Sequence, residues 1–351
     1  MKRRSMDKRW YERAGERGDI FLASRIRLLR NFDGILFPSA MSDEQRQDLE
    51  YRMDSLLPAL SASLGEPIER IPLKALSGYE RSAVRERHLI NDAAFAESAH
   101  TTLYVSRDEA CSLTVNARDH LRILLSERGE QLNGLLERIN RLDDAVCTGI
   151  PYAFSPKYGY KTARIRDLGT GMRAYYVMHL PLLSEREDFG ALVQEIGKYG
   201  VVIKEAWTVG ARKVGGVYVL YNQRTLGLKE EDIVAILTNV GDRLMKEEQD
   251  LRHSADPELL RDRVFRSYGT LKYAVRLETA EACRFLSDIL LGVSEQYLKA
   301  GSGASVYELM LGIFPGNLQV YFREPLTNSE IPAKRAEYVR GFLKNFTPVR
   351  F

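Results

Sequence analysis

The polar stretch KEEQDLRHSADPE, residues 246–258, divides the chain into two parts of different periodicity, and no other feature constrains the fold as much. Before it, the runs TTLYVS, CSLTVN, AYYVMHLPLL, YGVVIKEAWTV and GGVYVLYNQRTLG are rich in β-branched and aromatic residues and bounded by Gly or Pro, which is how sheet strands read. After it, helical signals dominate, with breaks around Gly301, Gly303, Gly312 and Gly316. Asp256-Pro257 supplies an N-cap followed by a first-turn proline. The expected architecture is α+β: a mixed domain over residues 1–252, then a helical domain over 256–351. A length of 351 residues suits two cores better than one.

Within the first part, Ser42 and Gln45 have capping-box spacing, Leu49, Met53, Leu56, Leu57 and Leu60 share a helical face, and Gly65 can stop the helix. Leu132, Leu135, Leu136, Ile139 and Leu142 repeat the pattern ahead of the acidic pair Asp143 and Asp144. A third helix from about Glu230 carries Ile233, Ile236, Leu237, Val240 and Leu244 on one stripe. All three stripes read as core.

With 44% apolar and 28% charged residues the composition is that of a soluble globular protein. The net charge of +3 is a small difference between 51 basic and 48 acidic residues, so bulk charge points to neither nucleic acid nor a membrane surface. Cys111, Cys147 and Cys283 form no C-x-x-C pair and no even framework, which points to a reducing cytoplasm. The basic N-terminus is followed by no apolar run, and no apolar stretch of spanning length occurs, so neither export nor membrane insertion is expected.

Four segments carry a family resemblance: DIFLASRIRLLRNFDGILFP (19–38), LTVNARDHLRILL (113–125), YGYKTARIRDLGTGMRAYYVMHLP (158–181) and VYVLYNQRTLGLKEEDI (217–233). In order and spacing they resemble the S-R-I-R-L-A-R-N, V-N-E-E-D-H-L-R-I, Y-G-Y-L-T-x-C-P-T-N-x-G-T-G-x-R-A and I-S-N-Q-x-T-L-G motifs of bacterial protein-arginine kinases of the McsB kind, relatives of creatine and arginine kinases. The resemblance implies an antiparallel sheet flanked by helices, ATP as ligand with magnesium as its companion, and a triphosphate cradle of arginines. Arginine suits that task because its planar fork stays charged and binds phosphate oxygens in pairs. Carried over by motif, the cradle is Arg25, Arg27, Arg122 and Arg173; a fifth position holds Lys204, and His120 lines the nucleotide pocket.

The same motifs break where phosphoryl transfer needs them. A guanidinium acceptor must be oriented by carboxylates, one of which takes its proton. The position of the first catalytic glutamate holds Arg118, preceded by Ala117; that of the second holds Val209; that of the active-site cysteine holds Arg164. Losing one general base costs roughly a hundred- to ten-thousand-fold. An arginine about 4 Å from an acceptor guanidinium adds repulsion of about 4 kcal/mol at an effective dielectric near 20. Arg166 and Arg212 lie in the same two loops, so the acceptor half turns positive. Asp119, Asp167 and Glu205 are the carboxylates near enough in sequence to compensate.

Three functions stay open at this level: a family member that binds ATP or a phosphorylated ligand, transfers little or nothing, and acts through a protein partner; an active protein-arginine kinase using displaced carboxylates; and a structural or regulatory subunit, homodimeric in one version, with an empty site. In the helical part, Arg335-Ala336 keeps half of the R-D-x-x-R-A motif that the resemblance links to phosphoarginine, but Ile331 and Pro332 stand where R-D belongs. His88 and His179 read as core or loop hydrogen-bonders, since no second metal ligand sits at useful spacing.

Overall fold

The computed structural model describes residues 8–209 and 212–349, and of residues 208, 209, 212 and 213 the backbone alone. The strands are β1 (Phe21–Arg30), β2 (Ile68–Pro72), β3 (Thr102–Ser106), β4 (Cys111–Val115), β5 (Leu121–Glu127), β6 (Phe154–Ser155), β7 (Gly159–Tyr160), β8 (Met172–His179), β9 (Val201–Glu205), β10 (Thr208–Val209), β11 (Arg212–Lys213) and β12 (Val217–Asn222). Eight of them form one sheet in the order β2-β3-β4-β5-β1-β8-β12-β9, and every ladder in it is antiparallel. The helices of this part are α1 (Asp43–Leu64), α2 (Gly78–Glu86), α3 (Asp92–Ala96), α4 (Leu132–Gly149), α5 (Phe189–Gly197) and α6 (Glu230–Ser254). The fold is thus α+β, an antiparallel sheet flanked by helices.

Alternation sorts β1 into two faces. Ile26 and Leu28 join Ile123, Leu125, Ala174, Tyr176, Ile203 and Leu220 in a core packed under α1, α4 and α6. Each such fully buried aliphatic side chain contributes roughly 1.5–3 kcal/mol. The helices follow their caps: Ser42 and Gln45 close a capping box on α1, and Gly65 ends it with φ 75°. Asp143, which reads in sequence as a polar helix surface, is buried and accepts from Arg30 Nη2 at 2.7 Å. An isolated buried charge would be costly, and this pairing supplies the counter-charge.

The polar stretch 246–258 departs from its sequence appearance. It continues α6 to Ser254, and within it Glu248 and Arg252 are buried, joined at 2.8 Å, with Glu248 also accepting from Leu183 N. The chain then re-enters helix at α7 (Pro257–Tyr273), capped by Asp256 as expected, followed by α8 (Thr279–Ser294), α9 (Val306–Gly312), α10 (Pro315–Phe322) and α11 (Ile331–Leu343). This region is helical except for a short ribbon of β13 (Leu298–Ala300) and β14 (Phe346–Pro348), too brief to show as a sequence period.

The C-terminal helices cover part of the second sheet face. Ala23, Val177 and Val217 pack there with Leu286, Ile289, Tyr307 and Val339. The two regions are clasped at defined points: Glu86 accepts from Gly316 N and Asn317 N at the start of α10, and His179 Nε2 meets Ser287 Oγ at 2.8 Å. No helix among the described residues is long and apolar enough to cross a membrane.

Candidate functional site

Two residues further along the strands, the face that is apolar under the C-terminal helices becomes cationic. Arg25 and Arg27 project there from β1, and the register sets Arg27 opposite Arg173 of β8, Leu29 opposite Arg122 of β5, and Lys204 of β9 opposite Val219. Because strand side chains repeat every two residues, these positions share one face. Residues far apart in sequence are therefore neighbours: Arg25, Arg27 and Arg122 are buried, Arg173 is half-buried and Lys204 is exposed.

Guanidinium groups repel, so packing this many together requires counter-charge. One carboxylate supplies it. Asp167 is 2% exposed, and its Oδ1 accepts from Arg27 Nη2 at 2.8 Å and Arg173 Nη2 at 3.1 Å. Burial alone would raise this carboxyl, but Arg27 and Arg173 outweigh it and hold its pKa below the ordinary carboxylate value. Arg25 donates to Tyr307 Oη at 2.9 Å and lies over the Trp10 ring, so the C-terminal region orients it. Arg122 donates to the Leu89 carbonyl at 3.2 Å. Burial, and after it the charges of Arg27 and Arg25, push its pKa down to about 10. The Nε atoms of Arg25, Arg27, Arg122 and Arg173 are all buried without a hydrogen-bond partner. Buried donors are rarely left so.

Two loops close the open end. A cavity of about 210 Å³ is lined by Arg27, Arg118, Arg122, Arg164, Arg166, Asp119, Asp167 and Tyr175, among others. Arg118, Arg164 and Arg166 are exposed at its mouth. The Arg164 pKa is lowered, first by desolvation and then by Arg118 and Arg166. Asp119 Oδ1 accepts from Asn31 Nδ2 and Ala163 N, both at 2.7 Å, which ties the two loops together. Glu205 neighbours Lys204 on β9 and so lies on the opposite face of the sheet, beside Tyr218. Val209 pairs with Arg212 in the β10–β11 hairpin, whose side chains lie outside the described set.

One expected pocket residue is turned away. His120 is buried, takes a hydrogen bond from Phe32 N on Nδ1, meets the Leu36 carbonyl with Nε2 at 2.6 Å and stacks against Phe32 and Phe37. With both ring nitrogens engaged in holding the 31–37 loop, it does not line the cavity. His88 lies near the cationic face: burial, then the charges of Arg25, Arg122 and Lys204, hold its imidazole well below the usual pKa. Sequence alone left His88 as a structural histidine, and its left-handed φ of 66° on the α2–α3 loop became visible only in the fold. Asp167, weighed in sequence as a substitute base, is instead the counter-ion of the cradle. Its signal was available: it stands at the last position of the T-x-C-P-T-N stretch, where the motif has a neutral asparagine.

Elsewhere, Arg335 is buried and donates to the carbonyls of Ile313 and Leu277, a structural duty. A larger cavity of about 1150 Å³ lies between β2, β3 and the helices α9–α11. Its Arg9 and Arg87 are paired with Glu109 at 3.2 and 2.9 Å.

A model of the ATP:guanido phosphotransferase C-terminal catalytic domain matches residues 50–251, and one of the protein-arginine kinase McsB C-terminal domain matches 257–350. The protein-arginine kinase of Shouchella clausii is 33% identical over 341 residues, covering 95% of this chain and 94% of the relative. The chain belongs to the protein-arginine kinase family. A second member, from Halalkalibacterium halodurans, is 35% identical over 339 residues, with 95% of each chain covered. Among solved structures, lombricine kinase aligns with a TM-score of 0.59 at 20% identity over 72% of this chain and 74% of that one. The duplicated taurocyamine kinase from Schistosoma mansoni with bound transition state analog components gives 0.59 at 20% identity, over 93% of this chain and 46% of that one. These two likenesses concern the fold. The kinase-family sheet is the one that carries the arginine face described above.

Proposed function

We propose that this protein-arginine kinase family member binds the phosphates of ATP or ADP in the cradle of Arg25, Arg27, Arg122, Arg173 and Lys204, with His88 beside them, and does not phosphorylate arginine at rates ordinary for the family. The observation that carries the first half is the set of four buried arginine Nε donors without partners. Charge-assisted bonds to phosphate would satisfy them, each worth about 1.5–3 kcal/mol.

The second half rests on the carboxylates. An acceptor guanidinium needs a base within hydrogen-bond reach. Around the cavity, Asp167 is committed to Arg27 and Arg173, and Asp119 to Asn31 and Ala163 N. Arg118 and Arg164 stand where the family motifs carry a glutamate and a cysteine. An approaching guanidinium meets cations there. The consequence is a nucleotide-dependent binding protein, acting through a partner rather than through turnover.

Calorimetric titration with ADP and ATP, with and without magnesium, tests the cradle. Absence of binding by either nucleotide would refute it. Incubation with ATP and an arginine-rich protein, followed by detection of acid-labile phosphoarginine, tests the chemistry. Turnover comparable to that of an ordinary family member would favour the alternative in which Asp119 or Asp167 exchanges its partners and serves as base.

A further inference from the structure

We propose that the N-terminal arm is a working part of the nucleotide site: its Trp10, together with Tyr307 of α9, sets Arg25 for phosphate, so that ligand binding and seating of the arm reinforce each other. This inference rests on the nucleotide reading of the cradle and deepens it. Its ground is the way Arg25 is held. Arg27 and Arg173 share the carboxylate of Asp167. Arg25 is held by neutral groups: Nη2 donates to Tyr307 Oη at 2.9 Å, and the guanidinium carbon lies 5.7 Å from the centre of the Trp10 ring. Its Nε is buried and has no hydrogen-bond partner.

Neither partner belongs to the sheet that carries Arg25. Trp10 opens the 3-10 turn Trp10–Glu12 of the arm, and Tyr307 lies on α9; both are 1% exposed, with ring centres 6.1 Å apart. The arm is fastened on two sides. Trp10 N donates to the Asp108 carbonyl at 3.0 Å, and Arg13 Nη2 reaches Asp108 Oδ2 at 2.5 Å, both on the turn between β3 and β4. Ser305, the cap of α9, donates through Oγ to the Tyr11 carbonyl at 3.0 Å. Arg128 Nε donates to the Arg13 carbonyl at 3.3 Å, and its guanidinium carbon lies 5.0 Å from the centre of the Tyr307 ring. The arm thus bridges the β3–β4 turn and α9, and it meets the cradle at Arg25.

An unrestrained arginine must be ordered before it can offer its fork, and that ordering opposes association. Held by Tyr307 at Nη2 and covered by Trp10, Arg25 is ordered before any ligand arrives. The free Nε leaves a donor for phosphate while the phenol keeps its own nitrogen, so the ligand adds to the clasp rather than displacing it. A phenol oxygen and an indole face carry no net charge, and they hold the guanidinium without cancelling the cation that phosphate needs. The coupling is reciprocal by linkage: the factor that the seated arm gives to nucleotide affinity is the factor that bound nucleotide returns to the seating.

Isothermal titration and hydrogen exchange of the full chain test the coupling. Y307F keeps the ring and removes the hydroxyl, and it should weaken ADP binding roughly two- to tenfold, the ordering cost of one arginine side chain. Added to R25A, the same change should have no further effect, because its action runs through that guanidinium. Y268F removes a hydroxyl that donates to the Phe346 carbonyl elsewhere in the C-terminal region, and it should leave ADP affinity unchanged. In hydrogen exchange, saturating ADP should slow the amides of residues 10–13 about twofold or more in the wild type and not in R25A. Wild-type affinity in Y307F, a loss undiminished in the R25A background, an equal loss in Y268F, or arm exchange indifferent to ADP each overturns the inference and leaves the cradle reading standing. Binding of neither ADP nor ATP by the wild type overturns both.

Discussion

Asp167→Asn isolates one charge in the cradle, and its effect can be worked from the geometry. The carboxylate lies 2.8 Å from Arg27 Nη2 and 3.1 Å from Arg173 Nη2, on the side where a phosphate must approach. A phosphate oxygen about 4 Å from that carboxylate would be repelled by about 4 kcal/mol at an effective dielectric near 20. Side-chain movement relieves part of this. A net gain of roughly 1.4–3 kcal/mol remains, or about ten- to hundredfold tighter ADP binding for the asparagine variant. The free protein should respond in the opposite sense. Arg27 and Arg173 lose their counter-charge, costing roughly 1–3 kcal/mol, and each kcal/mol lowers the melting temperature by about 1–2 °C for a chain of 351 residues. Saturating ADP should restore it, because a ligand that binds only the folded state stabilises that state. Calorimetric titration and thermal melts at fixed ionic strength measure both effects. Unchanged or weaker ADP binding in the variant would refute the view that Asp167 stands in for a phosphate.

Three further outcomes follow from the same structure. Arg122→Ala should weaken ADP binding about ten- to hundredfold without lowering the melting temperature, because it removes a buried cation whose pKa is already depressed to about 10. Gly316→Ala should destabilise by about 1–3 kcal/mol in urea titrations, since its methyl would lie 2.5 Å from Ala83 N and 2.8 Å from Ser82 C and force α10 off α2. The acid limb of stability should depend on Asp167: its folded pKa lies below the unfolded value near 3.9. Its stabilisation is therefore complete above about pH 4 and lost as pH falls through the folded value. Melts of wild type and D167N should converge in acid, and a gap that persists there would contradict the pairing.

By itself, the sequence determined the elements whose periodicity matches their burial. Helix α1 runs from its Ser42 cap to Gly65 as spaced, α7 starts at the Asp256-Pro257 signal, and the apolar stripes of α4 and α6 lie in the core. The motif order likewise indicated which arginines belong to one surface. What only the tertiary structure decided concerns charged residues in places where local pattern implies water. β1 is the centre of the sheet and buried along its whole length, yet it carries three arginines and is not among the runs that read as strands. The polar end of α6 hides the Glu248–Arg252 pair, and His120 turned from pocket residue to loop anchor. Asp167 changed from a candidate base to a counter-ion for the same reason. Local sequence records that a group is charged, whereas its burial and role depend on which opposite charge the distant strands bring within about 3 Å.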